Sequence, residues 1–439
     1  MSTFRVSRFS LATAFVASLL SLTTVKISAQ DELPRATPEA SIQPRNGSNA
    51  CSWIEPDGNT AYPETHARYF RLTIPRARPD GVRLRISGDY LAVRYFSFQL
   101  YGPAFNAVDV LADHEIRPDP GSQSPFADIT RIDPAVRPGG RYTVFVEFTD
   151  PPAQRAPNTL YAGRSLLPAV RNYLFLRAYL SVGSVPLPAI RYERHDGSPS
   201  ADAPIDVVAC GDGPDLPLLG SADVLLPESA VSSLLLPTVP IDAIRSGGGS
   251  RDVPFEVYRG LGGGLGTGVV YNQNAGFMSA RIDNRDDLVL VRFRAPSYPA
   301  FGGAALPDVR YWSLCQNRQA LQTVLACVAD REATIDGDGF FHAVIGSIHG
   351  RPLGADARNG FAFLPNAGLI DNGFLIYRQI LSRPDFAGAI TRVPADRAPI
   401  DVLGDYTPQG TTCPPALFVA RTLAGDSPAQ VFAACRAAR

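Results

Sequence analysis

Five histidines, His66, His114, His195, His342 and His349, are the side chains best suited to moving protons near neutral pH. His342 falls in an apolar run and His349 in the loop after it, with Asp330 and Asp338 close in sequence. That set would suit acid–base or metal chemistry. The two histidines stand on different sides of a bend, and no ligand-spaced cluster accompanies them, so structural histidines are expected. Ser97 and Ser313 recur in matching contexts and invite a nucleophile, but a serine needs a base and an orienting acid. The G-x-S-x-G elbow is missing: in Gly346-Ser347-Ile348-His349-Gly350 the serine stands one place early. Asp336-Gly337-Asp338-Gly339 begins like a calcium loop, yet Phe340 and Phe341 follow where oxygen ligands are required. Asp-Gly instead supplies the positive φ of a tight hairpin turn. Asp113/Glu115 and Asp119/Asp128 are acidic pairs of the glycosidase kind, a chemistry decided by spatial separation. The glycine run from Gly260 to Gly268 is out of register for G-x-G-x-x-G, lacks a lysine and precedes a strand, which argues against nucleotide binding. No cofactor or metal is expected.

The arginines are more informative. Val93-Arg94-Tyr95-Phe96-Ser97-Phe98 returns about two hundred residues later as Val309-Arg310-Tyr311-Trp312-Ser313-Leu314. An echo with only like-for-like changes marks an internal repeat. Residues alternate sides along a strand. Phe96, Phe98 and Leu100 therefore share a face, as do Trp312 and Leu314. Tyr95, Ser97, Gln99 and Tyr101 share the other, as do Tyr311, Ser313, Cys315 and Asn317. One apolar and one mixed face predicts an antiparallel sheet packed on one side. The echo continues. An acidic loop residue follows each arginine, Asp113 and Asp330. A β-rich run comes next, from Tyr142 and from Phe340, and each copy closes on an apolar strand with an arginine, Arg177 and Arg378. Arg94, Arg177, Arg310 and Arg378 are expected to pair with Asp89, Asp113, Asp330 or backbone carbonyls at a sandwich rim. A requirement of the fold is met in both copies, whereas an active site need exist once. Candidate ligand-binding or rim residues are thus Arg94, Tyr95, Asp113, His114, Arg177, Arg310, Tyr311, Asp330, His342 and Arg378.

The chain has 439 residues, enough for two or three domains, and 45% apolar and 19% charged residues, as in an ordinary globular protein with a sizeable core. A formal net charge of −1 offers nothing to nucleic acid or an anionic membrane. Of 41 basic residues only Lys26 is a lysine. It lies in residues 1–29, which have a basic start, an apolar run near Leu11–Leu22 and small residues after it, the pattern of a secretory signal; a retained anchor is the alternative. Without that segment no lysine remains for Schiff-base or P-loop chemistry. The six cysteines of an exported chain favour disulfides, and six allow fifteen pairings. Sequence proximity suggests Cys315 with Cys327, while Cys51 and Cys210 bracket the first copy and Cys413 and Cys435 would tie down the tail. Residues 30–50 are expected to be disordered. A first β-sandwich module spans 51–207, a Pro/Gly-rich linker 208–254 with a short helix near Glu228–Leu235, a second module 255–382, and a tail 383–439 with a helix near Pro428–Ala438. Residues 318–328 are read as a brief helix or another strand.

Asp113-His114-Glu115-Ile116-Arg117-Pro118, Pro157-Asn158-Thr159-Leu160-Tyr161, Asp308-Val309-Arg310-Tyr311-Trp312-Ser313-Leu314-Cys315-Gln316-Asn317 and Asp336-Gly337-Asp338-Gly339-Phe340 resemble segments of uncharacterised bacterial secreted proteins. More distantly the repeat is similar to a jelly-roll-like domain of unknown function in bacterial cell-envelope proteins, although Phe363-Leu364-Pro365 replaces that group's usual Trp-Leu-Pro. The resemblance implies fold and export and brings no catalytic residues. The expectation is therefore an all-β chain of two related antiparallel, jelly-roll-like sandwiches with a short helical C-terminal tail. It would be secreted, periplasmic or in the cell envelope, without a membrane span once the signal is removed. A non-catalytic role is expected, binding an unknown small-molecule, glycan or envelope partner through a cleft between modules; the alternative is an extracellular hydrolase of an ester or glycoside.

Overall fold

The computed structural model describes residues 53–55, 59, 61–75, 81–126, 128–130, 132, 140–164, 171–198, 252–258, 271–282, 287–299, 306–319, 321–347, 350–366 and 373–438. The expected signal, the polar segment 30–50, the helix near Glu228–Leu235, the glycine run, Cys51, Cys210 and His349 lie outside them.

The first half forms two sheets. β1 (Ala67–Pro75), β7 (Arg171–Tyr179), β3 (Tyr95–Tyr101) and β4 (Ala107–Ala112) make one, in that order. β6 (Thr159–Tyr161), β5 (Arg141–Glu147), β2 (Val82–Asp89) and β8 (Ala189–Arg194) make the other. Phe70 and Leu72 of β1, Phe96 and Phe98 of β3 and Leu174 and Leu176 of β7 share a core with Leu84 and Ile86 of β2 and Val144 and Val146 of β5. This is sheet-on-sheet packing by the inward-facing residues of alternating strands.

The second half repeats the plan. β10 (Glu256–Val257), β11 (Ala275–Ile282), β17 (Gly373–Ser382), β13 (Val309–Arg318) and β14 (Val324–Ala329) form one sheet. β16 (Ala362–Pro365), β15 (Phe340–Gly346), β12 (Leu288–Arg294), β18 (Gln409–Cys413) and β9 (Asp252–Val253) form the other. Trp312, Phe293, Phe341 and Tyr377 centre its core, with rings 4.5–6.4 Å apart. Among the described residues pairing is antiparallel in both halves except β5/β6 and β15/β16, the same position in each. Of the described residues in 318–328, Arg318 ends β13 and Val324–Val328 lie in β14, the strand of the two expected alternatives.

After β17 come the short helix α1 (Pro399–Leu403), then β18, α2 (Pro415–Leu423) and α3 (Pro428–Ala437). Ser427 caps α3 by accepting from the Gln430 N–H, and Gln430 reciprocates, a capping box before Pro428 at the first helical position. Val431, Phe432 and Phe418 cover Leu290 and Val344 on the outer face of the β12 sheet. Among the described residues no helix is long and apolar enough to cross a membrane.

One expectation is corrected. All seven residues of β3 are buried, as are Val309–Asn317 of β13, so neither sheet is packed on one side only. The mixed faces are covered because each half lays them against the other. Tyr95, Ala112, Tyr179 and Leu180 join Ala275, Tyr311, Ala329, Ile380 and Leu381 in one apolar cluster. The halves belong to a single unit, Pro44–Arg439.

Candidate functional site

The junction is built from matched residues. Tyr95 pairs in register with Tyr179, and Tyr311 with Ile380. Asp113 and Asp330 each start a single 3-10 turn after an extended alanine, Ala112 at φ −82° and ψ 158°, Ala329 at φ −84° and ψ 159°. Asp113 Oδ2 accepts the Phe96 N–H at 3.0 Å, and Asp330 Oδ2 accepts the Trp312 N–H at 3.3 Å. Each aspartate therefore anchors the aromatic strand of its own half. Its ion pair, however, goes to the other half. Arg310 Nη1 lies 3.1 Å from Asp113 Oδ2, and Arg94 Nη1 lies 3.2 Å from Asp330 Oδ2. Arg310 also donates to the carbonyls of Asp128 at 2.6 Å and Ile129 at 3.0 Å. Even the stacking partners match: Arg310 lies over Phe126 and Arg94 over Tyr298, 5.4 and 5.2 Å from the ring centres.

These pairs are buried rather than set on a solvent-exposed rim. Arg310, Asp113 and Asp330 have 0% side-chain exposure and Arg94 13%. Burial pushes the Arg310 guanidinium down in pKa against the pull of Asp113. Burial lifts the Asp330 carboxyl to about 6, with Arg94 and the Trp312 N–H acting the other way. His114 stands beside the Arg310–Asp113 pair, its Nδ1 3.8 Å from Asp113 Oδ1.

The closing-strand arginines are buried one register further along. Arg177 donates to Gln99 and to the Tyr101 hydroxyl, and both Gln99 and Tyr101 also donate to the Tyr271 carbonyl. Arg378 instead meets a carboxylate, with its Nε 3.3 Å from Glu64 Oε2. Glu64 comes from the segment leading into β1, which crosses over β13 as Tyr271–Asn274 crosses over β3. Leu180 donates to the His66 carbonyl and Leu381 to the Asn274 carbonyl, so the two entry segments are counterparts. Glu64 then corresponds to Asn272 and His66 to Asn274.

Here the copies part company. In the first half the entry contacts are amides: Asn272 and Asn274 meet the Tyr95 hydroxyl. In the second, Ser313 Oγ donates to Glu64 Oε2 at 2.5 Å, His66 Nδ1 lies 3.1 Å from Glu64 Oε1, and His66 Nε2 lies 2.9 Å from Glu332 Oε1. Against the burial that would lower it, hydrogen bonds to Glu332 and Glu64 raise the His66 imidazole to about 9. Glu64 stays below the usual carboxylate range: burial would raise it, but Arg378, His66 and Ser313 together outweigh burial. Cys315 is bonded to Cys327, and its Sγ lies 3.3 Å from Glu64 Oε2.

Serine, acid and histidine thus do meet, but in the wrong order for a hydrolase. The carboxylate sits between Ser313 and His66, so the imidazole does not reach the hydroxyl it would deprotonate. Ser313 and Glu64 are also closed to solvent. His342, buried, turns its Nε2 to Asp336 Oδ2 at 2.8 Å, and burial lowers its pKa. Asp336 Oδ1 accepts the N–H groups of Asp338 and Phe340, which forms the expected tight turn, with Gly339 at φ 85°. Among the described residues neither His342 nor His114 touches a serine hydroxyl. His195 lies in the turn just after β8, its Nε2 3.0 Å from Glu147 Oε2.

Of the cysteines, Cys315–Cys327 and Cys413–Cys435 are disulfides. A separate polar cleft of about 370 Å³ lies in the first half among Asp109, Glu115, Arg117, Arg155 and Asn158. Arg155 pairs with Asp109 at 2.5 Å, and the Asn158 side chain bonds both backbone groups of Arg117.

No protein-family model matches the chain, and no curated protein matches it. Distant structural neighbours are bacterial. An uncharacterised protein from Burkholderia cenocepacia is 14% identical, with a TM-score of 0.49 over 83% of this chain and 81% of that one. A Vibrio parahaemolyticus protein is 11% identical, with a TM-score of 0.39 over 76% of this chain and 88% of that one. Neither likeness carries a function to this chain.

Glu64, His66 as its partner, and Glu332 were not legible as a site. Glu332 has a repeat signal, since Asp113-His114-Glu115 matches Asp330-Arg331-Glu332. Glu64 has none, because its counterpart is Asn272.

Proposed function

We propose that this chain is an exported, non-catalytic protein of the cell envelope or extracellular space, a rigid body of two sandwich modules that binds a polar partner such as a glycan. The modules are 51–207 and 255–382, with 208–254 as linker and 383–439 as tail. Each is similar to the jelly-roll-like domain of envelope proteins. The observation that carries the reading is the reciprocal junction: Arg94, Arg310 and Arg378, with Asp113, Asp330, Tyr95 and Tyr311, are taken up in contacts between halves, which is a structural use met in both copies. With the junction filled, the polar cleft of the first half is the better place for a partner. Its floor is held by Arg155–Asp109 and Asn158, while Glu115 and Arg117 stand exposed to meet hydroxyl or acidic groups.

The test is a panel of cell-wall polymers and chromogenic esters and glycosides applied to the exported protein, together with cell fractionation. Saturable binding to a polymer, weakened about tenfold by Arg117→Ala, and no turnover are expected; about 1.4 kcal/mol corresponds to that factor. Turnover of an ester or glycoside, or recovery of the protein in the cytoplasm, would overturn the reading.

A further inference from the structure

The cluster that exists once, around Glu64 and Cys315, is where fold requirement fails as an explanation. The counterpart of Cys315–Cys327 in the first half is the in-register pair Gln99 and Val110, and that hairpin forms without a bridge. The chain's two described disulfides also differ in setting. Cys413 and Cys435 both have 0% exposure and lie among Leu290, Phe418, Val431 and Phe432. Cys327, by contrast, is half-buried on β14, the edge strand of its sheet, while Cys315 is fully buried beside charged groups. Arg378 Nη2 is 3.6 Å from Cys315 Sγ and Glu64 Oε2 is 3.3 Å from it. From Glu64 a chain of contacts runs through His66, at 3.1 Å, to Glu332, at 2.9 Å, whose side chain is 43% exposed.

We propose that Cys315–Cys327 is a thiol–disulfide exchange site, attacked at Cys327 by an external thiol and supplied with protons through Glu332, His66 and Glu64. A small-molecule thiolate bonds to the half-buried Cys327 sulfur from the β14 side, and the S–S bond breaks. Its electron pair leaves on the Cys315 sulfur, where the Arg378 guanidinium faces the new thiolate. That thiolate takes a proton relayed by Glu64 from His66, which is replenished at Glu332. A second thiolate releases Cys327 and departs as the oxidised thiol, so two thiols are oxidised for one disulfide reduced. The site lies away from the polar cleft and does not depend on the glycan reading.

The experiment treats the folded, full-length protein with a graded series of dithiothreitol, traps free thiols with a maleimide, and maps them by peptide mass spectrometry. Cys315 and Cys327 are expected to be labelled at least tenfold faster than Cys413 and Cys435 without loss of the folded near-UV circular dichroism signal. His66→Gln is expected to slow the reduction severalfold at fixed thiolate concentration and to flatten its pH profile. If that variant fails to fold, the same profile is read for Glu332→Gln, at the exposed end of the relay. The proposal is overturned if the two disulfides open together, if Cys413–Cys435 opens first, or if neither opens before the protein unfolds. An unchanged pH profile in the variant removes the relay.

Discussion

Replacing Arg310 with Met keeps the length of its stem and removes its charge. The Asp113 carboxylate would then be buried with only the Phe96 N–H and the weaker, 3.8 Å approach of His114 to offset its lost hydration. Breaking a buried pair from one side costs about 3–5 kcal/mol, since the remaining charge is left without compensation. Asp113→Asn should cost somewhat less, about 2–4 kcal/mol, because an amide can still accept from Phe96 while Arg310 keeps the carbonyls of Asp128 and Ile129. In the double variant neither charge is stranded. Its cost should therefore fall short of the sum of the singles by about 2 kcal/mol or more, within the range seen for groups in one network. The counterpart, Arg94→Met, should cost only about 1–2 kcal/mol, because Arg94 retains some exposure and water can reach the vacated edge. Urea unfolding followed by tryptophan fluorescence and circular dichroism measures all four. Additive single effects, or an Arg310→Met variant within about 1 kcal/mol of the parent, would show that the reciprocal pairs do not hold the junction.

Glu64→Gln leaves the buried Arg378 without its carboxylate and should destabilise by about 3 kcal/mol, whereas Asn272→Ala at the matching position should cost about 1 kcal/mol; unfolding free energies compare them. His66 binds its proton more tightly when folded, so its contribution is complete below pH 6.5 and is lost as pH rises to about 9. The stability difference between the parent and His66→Gln should shrink across that window, and a constant difference would refute the pairing. Asp330, held up to about 6 by burial, also binds its proton more tightly in the folded state. Stability should therefore fall as pH climbs from about 4 to 6, a slope that Asp330→Asn removes. The Cys413–Cys435 bridge closes a separation of 22 residues, and its removal should cost about 3 kcal/mol by loop entropy, read from the urea midpoint of the Cys413→Ala/Cys435→Ala variant.

The alternation of Phe96, Phe98 and Leu100, and of Trp312 and Leu314, was enough to read strands and an inward face, because side-chain direction along a strand is a local property. The echo of the two hexapeptides likewise announced a duplicated plan, and a helix near Pro428–Ala438 was read where Pro428–Ala437 is helical. Burial of Tyr95, Ser97 and Gln99 was not, since a mixed face is compatible with water until another surface covers it. The local pattern says which side a residue faces and is silent about what it meets there.

The same divide runs through the charges. Composition and order alone establish that arginine and aspartate recur at matched places and that lysine chemistry is nearly absent. That Arg94 reaches Asp330 and Arg310 reaches Asp113, each across to the opposite half, is a matter of how two sandwiches dock. So is the meeting of Glu64 with Ser313, Cys315 and Arg378, residues about 250 to 310 positions apart. Such contacts are set by the registry of packed surfaces, where ion pairing and apolar burial are satisfied together, and sequence separation leaves no trace of them.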